Sequence, residues 1–300
     1  MKLTWTVTPA DNGLLLRTFL SHHHISKRLL SAIKFSGGQI RVNEKVENVR
    51  YQVSTGDVIT VDTPIEQEND SIIPEIGPLK VLFEDEFILV VDKPAGIASI
   101  TAQYHPTQTM ANFIKGHYYQ NGEKQAIHIV SRLDKDTSGI MLIAKNRFAH
   151  ARLSELHQQG LVKRTYRAFA EGTIAESGAI IAPIGRKDGS IMIREVRADG
   201  KYAETHYQVR NHYHDWTDVN VELRTGRTHQ IRVHFQHLGH TLMGDDMYKG
   251  SVTRLKRQAL HSEKLRLIHP FTGEEMSFVC ELPADMAAVL AQSELITSIR

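Results

Sequence analysis

Residues 128–145, HIVSRLDKDTSGIMLIAK, combine a run of charges with a run of apolar side chains. Residues 140–144 are uniformly apolar, which is typical of a strand buried in a sheet. The preceding Thr-Ser-Gly at 137–139 has the chemistry of a turn. The segment therefore predicts strand, polar turn and strand, with Asp134 and Asp136 at the mouth of the second strand. Charges at such a junction must be paired or used, unless the turn is simply solvated.

The composition is that of an ordinary globular protein. The chain has 300 residues, 41% hydrophobic and 23% charged, enough for one large core or two unequal ones. The single cysteine, Cys280, excludes an internal disulfide framework and favours a reducing compartment. No apolar run approaches the roughly 18 residues of a membrane span, and the segment MKLTWTVTPADNG has no apolar signal core. We therefore expect a cytoplasmic protein without a membrane partner.

Charge is segregated along the chain, although the net charge is only +2. Residues 26–45 and 224–257 are basic, whereas residues 62–78 contain five carboxylates and neither Lys nor Arg. Segment 62–78 also holds three prolines and lacks periodicity, which predicts a linker. The expected organisation is a small unit at 1–61, an acidic linker at 62–78 and a larger unit at 79–300.

The small unit reads as two helices followed by strands. Ser26 can cap a helix over residues 27–35, and Gly37 and Gly38 are suited to ending it. The segments QIRVN and DVITV predict strands. The pattern SKRLLSAIKFSGGQIRVNEKVE resembles the small α/β RNA-binding domain of the S-four ribosomal-protein type, over residues 13–61. The resemblance implies phosphate contacts from the basic side chains of this unit: Lys27, Arg28, Lys34, Arg41 and Lys45. A solvated helix face is the alternative.

The larger unit contains more strands than helices. LKVLFEDEFILVVDKPAG predicts two short strands. In the segments RTYRAFAEG and THYQVR, apolar and polar residues alternate, which also predicts strands. VNVELRTGRTHQIRVHFQHLGH predicts a strand, a turn and a helix, and a last helix is expected near 284–294. The expected class is α+β, with a mixed, mostly antiparallel sheet flanked by helices.

Four motifs in order carry a resemblance that spans residues 79–280. They are EDEFILVVDKPAG, SRLDKDTSGIMLIAK, KRTYRAFAEG and LRTGRTHQIRVHFQHLGHTLMGDDMY. The chain resembles the RluA-type family of RNA pseudouridine synthases and would share their fold. The resemblance implies isomerisation of uridine to pseudouridine in RNA by one carboxylate, without cofactor or metal. Asp134, which follows Arg-Leu, matches the catalytic aspartate, which either attacks the sugar or removes a neighbouring sugar proton.

The resemblance assigns roles to further residues. Tyr166 would stack on the target base and assist in its deprotonation, and Arg232 would pair with Asp134 and keep it ionised. Arg132 would hold the RNA once the base has flipped out of its stack. Three further residues of the GRTHQIR motif are expected to contact RNA: Arg227, His229 and Gln230. Ser131 departs from the pattern, because the family usually has histidine there.

Alternatives remain open from the sequence. Asp134 and Asp136 could form a glycosidase acid–base pair. His234, His237 and His240 suggest metal binding, but helical spacing of three suits two ligands better than three, so no metal site is expected. An inactive RNA-binding or ribosome-assembly factor is a third possibility, which an activity assay would separate. The expected substrate is large-subunit ribosomal RNA, with transfer RNA as the alternative, and the expected state is a monomer.

Overall fold

The N-terminal unit forms a small sheet covered by two helices. The computed structural model describes residues 2–64, 66, 68–102 and 105–293. The elements are β1 (Lys2–Thr6), α1 (Leu16–His22), α2 (Lys27–Phe35), β2 (Gln39–Val42), β3 (Lys45–Val46) and β4 (Val58–Asp62). The strands pair in the order β1-β4-β2-β3, and every pairing is antiparallel.

Helix α2 has the limits that its sequence predicts. The Ser26 hydroxyl accepts the backbone N–H of Leu29 at 3.2 Å and so caps the first turn. Leu29 and Ile33 face the core, which leaves the basic side chains on the outer face. After the helix, Gly37 has a φ of +93°, a left-handed conformation that glycine adopts without strain. The predicted cap, apolar face and glycine end are confirmed.

The rest of the described chain is organised around one large sheet. Its strands are β5 (Lys80–Glu84), β6 (Ile88–Lys93), β7 (His128–Ile129), β8 (Ser138–Ala144), β9 (Val162–Glu171), β10 (Gly178–Ile181), β13 (Glu204–His212), β14 (Trp216–Leu223), β15 (Leu260–Ile268) and β16 (Glu275–Val279). Strands β11 (Ile184–Arg186) and β12 (Arg194–Val196) form a separate hairpin. The helices are α3 (Met110–Gln120), α4 (Arg147–Gln158), α5 (Gln230–His237) and α6 (Ala284–Ala291).

The sheet is mixed and mostly antiparallel, as the sequence predicts. The main order is β10-β13-β14-β9-β15-β8-β6-β5, with β16 beside β15 and β7 beside β8. Within the described residues, β8 with β15 is the parallel pairing of this sheet. The predicted last helix is present as α6, and position 294 of that prediction lies outside the described residues.

Strand β8 is buried on both faces because helices cover both sides of the sheet. All seven of its residues are buried. Ile140 and Leu142 share a cluster with Leu153 of α4, whereas the alternate residues pack in a second cluster with α3. Since successive side chains of a strand point to opposite faces, a uniformly apolar run is what this position requires.

Strand pairing brings the first residues of β8 close to β9. Ser262 of β15 pairs with Gly139 of β8 on one side and Tyr166 of β9 on the other. Gly139 has a φ of +106°, and a Cβ there would lie 2.3 Å from the carbonyl oxygen of Ser262. Only glycine permits this close approach. The loop that precedes β8 is thereby held one strand away from Tyr166.

The acidic segment between the two units lies against the larger one. Its described residues after Asp62 form neither helix nor strand. The Glu66 carboxylate contacts His128 Nε2 at 2.6 Å, Glu68 contacts Lys115 Nζ at 3.3 Å, and Glu75 accepts the N–H of Gln108 at 3.0 Å. The acidic segment therefore contacts the larger unit through Glu66, Glu68 and Glu75.

An aromatic cluster joins the N-terminal unit to the larger unit. Phe148 of α4 is buried with the N-terminal core, and Phe87 and Phe271 pack beside it. The Phe148 and Phe271 rings are 4.7 Å apart.

Among the described residues, no helix is both long and apolar enough to cross a bilayer.

Candidate active site

The loop that carries Asp134 is fixed from both sides by side chains of the 93–99 segment. The Ser99 hydroxyl donates to the carbonyl of Leu133 at 2.6 Å and accepts that residue's N–H at 3.1 Å. Lys93 Nζ donates to the carbonyl of Lys135 at 2.9 Å. The residues before and after Asp134 are thus both held, which leaves its carboxylate a narrow range of positions.

Lys93 is a fully buried lysine beneath the site. Its ammonium group also donates to the carbonyls of Pro94 at 2.9 Å and Ile97 at 2.6 Å. Burial lowers the pKa of Lys93 to about 7, and the negative charges of Asp136 and Asp134 oppose that shift. Three carbonyl acceptors match the three donors of the ammonium form. The burial of Lys93 could not be predicted from the sequence, because lysine side chains are usually exposed.

Asp134 and Asp136 have different surroundings. The Asp134 side chain is 28% exposed and faces a cleft, whereas Asp136 is not among the residues that line it. The backbone carbonyl of Asp136 accepts a hydrogen bond from Arg257 at 3.0 Å. The lining residues are Arg132, Leu133, Asp134, Thr137, Tyr166, Leu223, Arg227, His229, Gln230, Ile231, Arg232 and Leu260. One carboxylate of the sequence motif therefore faces the cleft.

Arg232 of α5 links Asp134 to a second carboxylate. Arg232 Nη1 lies 3.3 Å from Asp134 Oδ2. Its Nε and Nη2 atoms bind the two oxygens of Asp245 at 2.7 Å each, a bidentate pair. The Arg232 and Asp245 side chains are 6% and 1% exposed. Asp245 holds the guanidinium against Asp134, and sequence analysis missed it although it lies in the GDDMY part of the last motif.

Tyr248 and His229 lie beside Arg232 at the cleft. The Arg232 guanidinium lies over the Tyr248 ring, 4.9 Å from its centroid, and the Tyr248 hydroxyl is 2.9 Å from His229 Nδ1. His229 Nε2 is 4.0 Å from Asp134 Oδ2. Burial lowers the pKa of His229, which favours a neutral ring near pH 7. His229 also has a φ of +57°, a strained conformation of a kind that clusters at active sites.

Tyr166 supplies the apolar side of the cleft. Its residue is 4% exposed and packs with Leu133, Ile231 and Leu260. The predicted catalytic residues Asp134, Tyr166 and Arg232 therefore come from a loop, a strand and a helix but line one cleft. Such an arrangement offers a ring for stacking beside a carboxylate and its counter-charge.

The residues predicted to bind RNA near the cleft divide into two groups. Arg132 and Arg227 are exposed at its edge, where positive charge suits phosphate. Gln230 is 2% exposed, and its amide bonds the Glu204 carbonyl, the Thr205 hydroxyl and the Arg227 N–H. Gln230 therefore fixes the turn before α5 through contacts within the protein, and its contact with RNA stays a prediction.

Arg41 differs from the other N-terminal cations that are predicted to contact phosphate, because it already has a carboxylate partner. Its guanidinium pairs with Asp62 and bonds the side chain of Gln39, so its charge is neutralised within the sheet. The other four cations, Lys27, Arg28, Lys34 and Lys45, are exposed. Lys34 and Arg50 line a groove of about 610 Å³ beside α2. The exposed cations among those predicted to contact phosphate are therefore on α2 and in β3.

Ser131 has a structural partner in place of an active-site role. It is 6% exposed, and its hydroxyl accepts the backbone N–H of Leu142 at 3.1 Å. It is absent from the residues that line the cleft.

His234, one of the suspected metal ligands, is fully buried, with its ring nitrogens 2.8 Å from the Thr205 hydroxyl and 3.0 Å from the Ala182 carbonyl.

Comparison with known proteins agrees with this site. Residues 87–237 match the family model for RNA pseudouridylate synthase. The chain is 47% identical over 267 residues to YjbO of Bacillus subtilis, named an uncharacterized RNA pseudouridine synthase, covering 89% of this chain and 94% of the relative. It is 38% identical over 264 residues to ribosomal large subunit pseudouridine synthase D of Vibrio cholerae, covering 83% and 81%.

A solved structure is similar in fold. Human RNA pseudouridylate synthase domain containing 1 superposes with a TM-score of 0.60 at 23% sequence identity, covering 78% of this chain and 94% of the human chain. The shared architecture extends across most of both chains.

Proposed function

Because the chain belongs to the RNA pseudouridylate synthase family, we propose that it converts specific uridines of large-subunit ribosomal RNA to pseudouridine, with Asp134 as the catalytic carboxylate. The observation that carries the proposal is the contact between Asp134 and Arg232, at 3.3 Å, in a cleft lined by Tyr166. The names of relatives such as the Vibrio cholerae enzyme support ribosomal RNA as the substrate.

The proposed reaction needs only groups that this cleft provides. The bond between the sugar carbon C1′ and the base nitrogen N1 breaks, and a bond from C1′ to C5 of the uracil forms. N1 gains a proton and C5 loses one, so the reaction is an isomerisation. Asp134 acts at the sugar, Arg232 pairs with it, and the Tyr166 ring receives the flipped base. The proposal includes a cytoplasmic monomer that uses neither cofactor nor metal, and the single cysteine of the chain fits a reducing compartment.

Mapping of pseudouridine across the transcriptome tests the substrate. Cells that lack the protein should lose pseudouridine at specific positions of large-subunit ribosomal RNA, and a plasmid copy should restore it. A plasmid copy with Asp134→Asn should not. Loss confined to transfer RNA would contradict the ribosomal target while leaving the reaction intact.

Replacement of Tyr166 by phenylalanine should separate stacking from proton transfer. Tyr166→Phe keeps the ring, so the affinity for RNA should stay near that of the wild type. Loss of the hydroxyl should slow turnover by roughly 10²-fold, a typical contribution of general acid–base catalysis. Filter binding and single-turnover assays on the same RNA measure the two quantities, with Tyr166→Leu as the control that loses the ring as well. Wild-type turnover in Tyr166→Phe would exclude proton transfer by this residue.

The N-terminal cations should contribute to affinity through phosphates. Replacing the four exposed cations that are predicted to contact phosphate (Lys27, Arg28, Lys34 and Lys45) with alanine should flatten the slope of log affinity against log salt by about 0.7 to 0.9 for each contact, or about 3 altogether. Arg41→Gln is the matched control, because Asp62 already neutralises Arg41. RNA affinities over a salt series give the slopes. An unchanged slope in the fourfold variant would assign these side chains to a merely solvated face.

A further inference from the structure

The β11–β12 hairpin presents two apolar side chains to solvent at its tip. Ile191 and Met192 are 73% and 58% exposed. The next residue, Ile193, turns inward and packs with Val233 of α5 and with Tyr248. The hairpin is therefore anchored by one apolar residue while the two before it project outward. Two adjacent apolar side chains held outward in this way are available to contact another molecule.

Side chains hold the tip in one conformation. The Ser190 hydroxyl accepts the N–H groups of Met192 at 3.3 Å and Ile193 at 3.0 Å. Arg194 Nη1 lies 3.2, 3.0 and 3.1 Å from the carbonyl oxygens of Ile191, Met192 and Ile193. Both N–H and C=O groups of the turn are thus bound by its own side chains. A preorganised tip loses little conformational entropy when it binds.

The charge of the hairpin suits a polyanion. Arg197 forms ion pairs with Asp188 and Asp199, at 2.7 and 2.5 Å, and lies 3.9 Å from Glu195. These are all the carboxylates between residues 184 and 201. The exposed basic side chains of this segment are Arg186, Lys187 and Lys201. The apolar tip is therefore flanked by exposed positive charge, which favours an RNA strand over an apolar protein surface.

Hydrogen bonds connect the hairpin to the catalytic cleft. The backbone N–H of Arg194 donates to the Tyr248 hydroxyl at 3.0 Å, and that hydroxyl also contacts His229. The Tyr248 ring lies beneath Arg232, the partner of Asp134. The base of the hairpin is thus attached to the group that supports the catalytic arginine. These contacts place the base of the hairpin beside the catalytic cleft.

We propose that Ile191 and Met192 form a wedge that enters the RNA base stack beside the target uridine and holds it open while the uridine occupies the cleft. This inference rests on the proposed function. Apolar side chains inserted between bases unstack them in other protein–nucleic acid complexes, and removal of a base from its stack is the step that such a wedge assists. Arg186, Lys187 and Lys201 would hold the flanking phosphates.

The test compares structured RNA with RNA in which the stack is already broken. The wedge variant is Ile191→Ser with Met192→Ser. The matched control is Ile73→Ser with Ile76→Ser, which alters two side chains that are 54% and 83% exposed in the linker. The substrates are an RNA stem-loop that carries a uridine identified by mapping, and the same stem-loop with an abasic nucleotide beside that uridine. Single-turnover rates are measured for each protein on each RNA.

We expect the wedge variant to lose single-turnover rate on the intact stem-loop and not on the abasic one. The wedge variant should be at least about tenfold slower on the intact stem-loop but within about twofold of wild type on the abasic one, because unstacking costs least where the stack is already disrupted. The linker variant should match wild type on both. Equal slowing of the wedge variant on both RNAs, or no slowing on either, would overturn the wedge. Wild-type protein that converts no uridine of large-subunit RNA would overturn the proposed function and the wedge with it.

Discussion

Asp134→Asn should abolish isomerisation while RNA binding stays within roughly tenfold of wild type, a change of about 1.4 kcal/mol. Amide and carboxylate have nearly the same shape, and Ser99 and Lys93 hold the backbone on either side of residue 134. The loop should therefore keep its conformation. The amide is a poor nucleophile and a poor base, so the chemistry is lost, whereas a carboxylate contributes no attraction to phosphate. Single-turnover assays and filter binding measure the two effects.

Asp136→Asn is the matched control for that experiment. It makes the same chemical change two residues away, in a side chain that does not line the cleft. We expect substantial turnover from this variant. Activity in Asp134→Asn together with loss in Asp136→Asn would reverse the assignment of the catalytic carboxylate.

Features that depend on neighbours in sequence were predictable. Helix α2 runs from Lys27 to Phe35 because Ser26, the apolar face and Gly37 all act within one or two turns. Strand β8 was evident from an apolar run of the right length between turn residues. The predicted catalytic residues came from the motifs that carry the family resemblance, and the structure places them around one cleft.

Features that depend on distant pairs were not predictable. Gln230 was expected to contact RNA, but Glu204 and Thr205, about 25 residues earlier in the chain, engage its amide. Composition predicted a linker at 62–78, but the contacts of this segment depend on partners such as His128, 62 residues away from Glu66. Composition reports charge but not the partner of a charge. For the same reason, Lys93 could not be distinguished from a surface lysine.

Arg232→Met should inactivate the enzyme and also destabilise its fold. The substitution leaves Asp245, whose side chain is 1% exposed, as a buried charge without its partner. Breaking such a pair typically costs about 3–5 kcal/mol of folding free energy. It also removes the counter-charge 3.3 Å from Asp134. Urea unfolding should show the loss of stability, and single-turnover assays the loss of activity.

A double substitution should separate these two effects. In Arg232→Met with Asp245→Leu no charge of the pair remains, and apolar replacement of a buried ion pair is often neutral for stability. The double variant should therefore recover most of the unfolding free energy that Arg232→Met loses. It should remain inactive, because Asp134 still lacks the guanidinium. If activity returned together with stability, Arg232 would serve only to compensate Asp245, and the ion pair with Asp134 would have no part in catalysis. Stability without activity would instead assign the two carboxylates different roles: Asp245 positions the arginine, and Asp134 uses it.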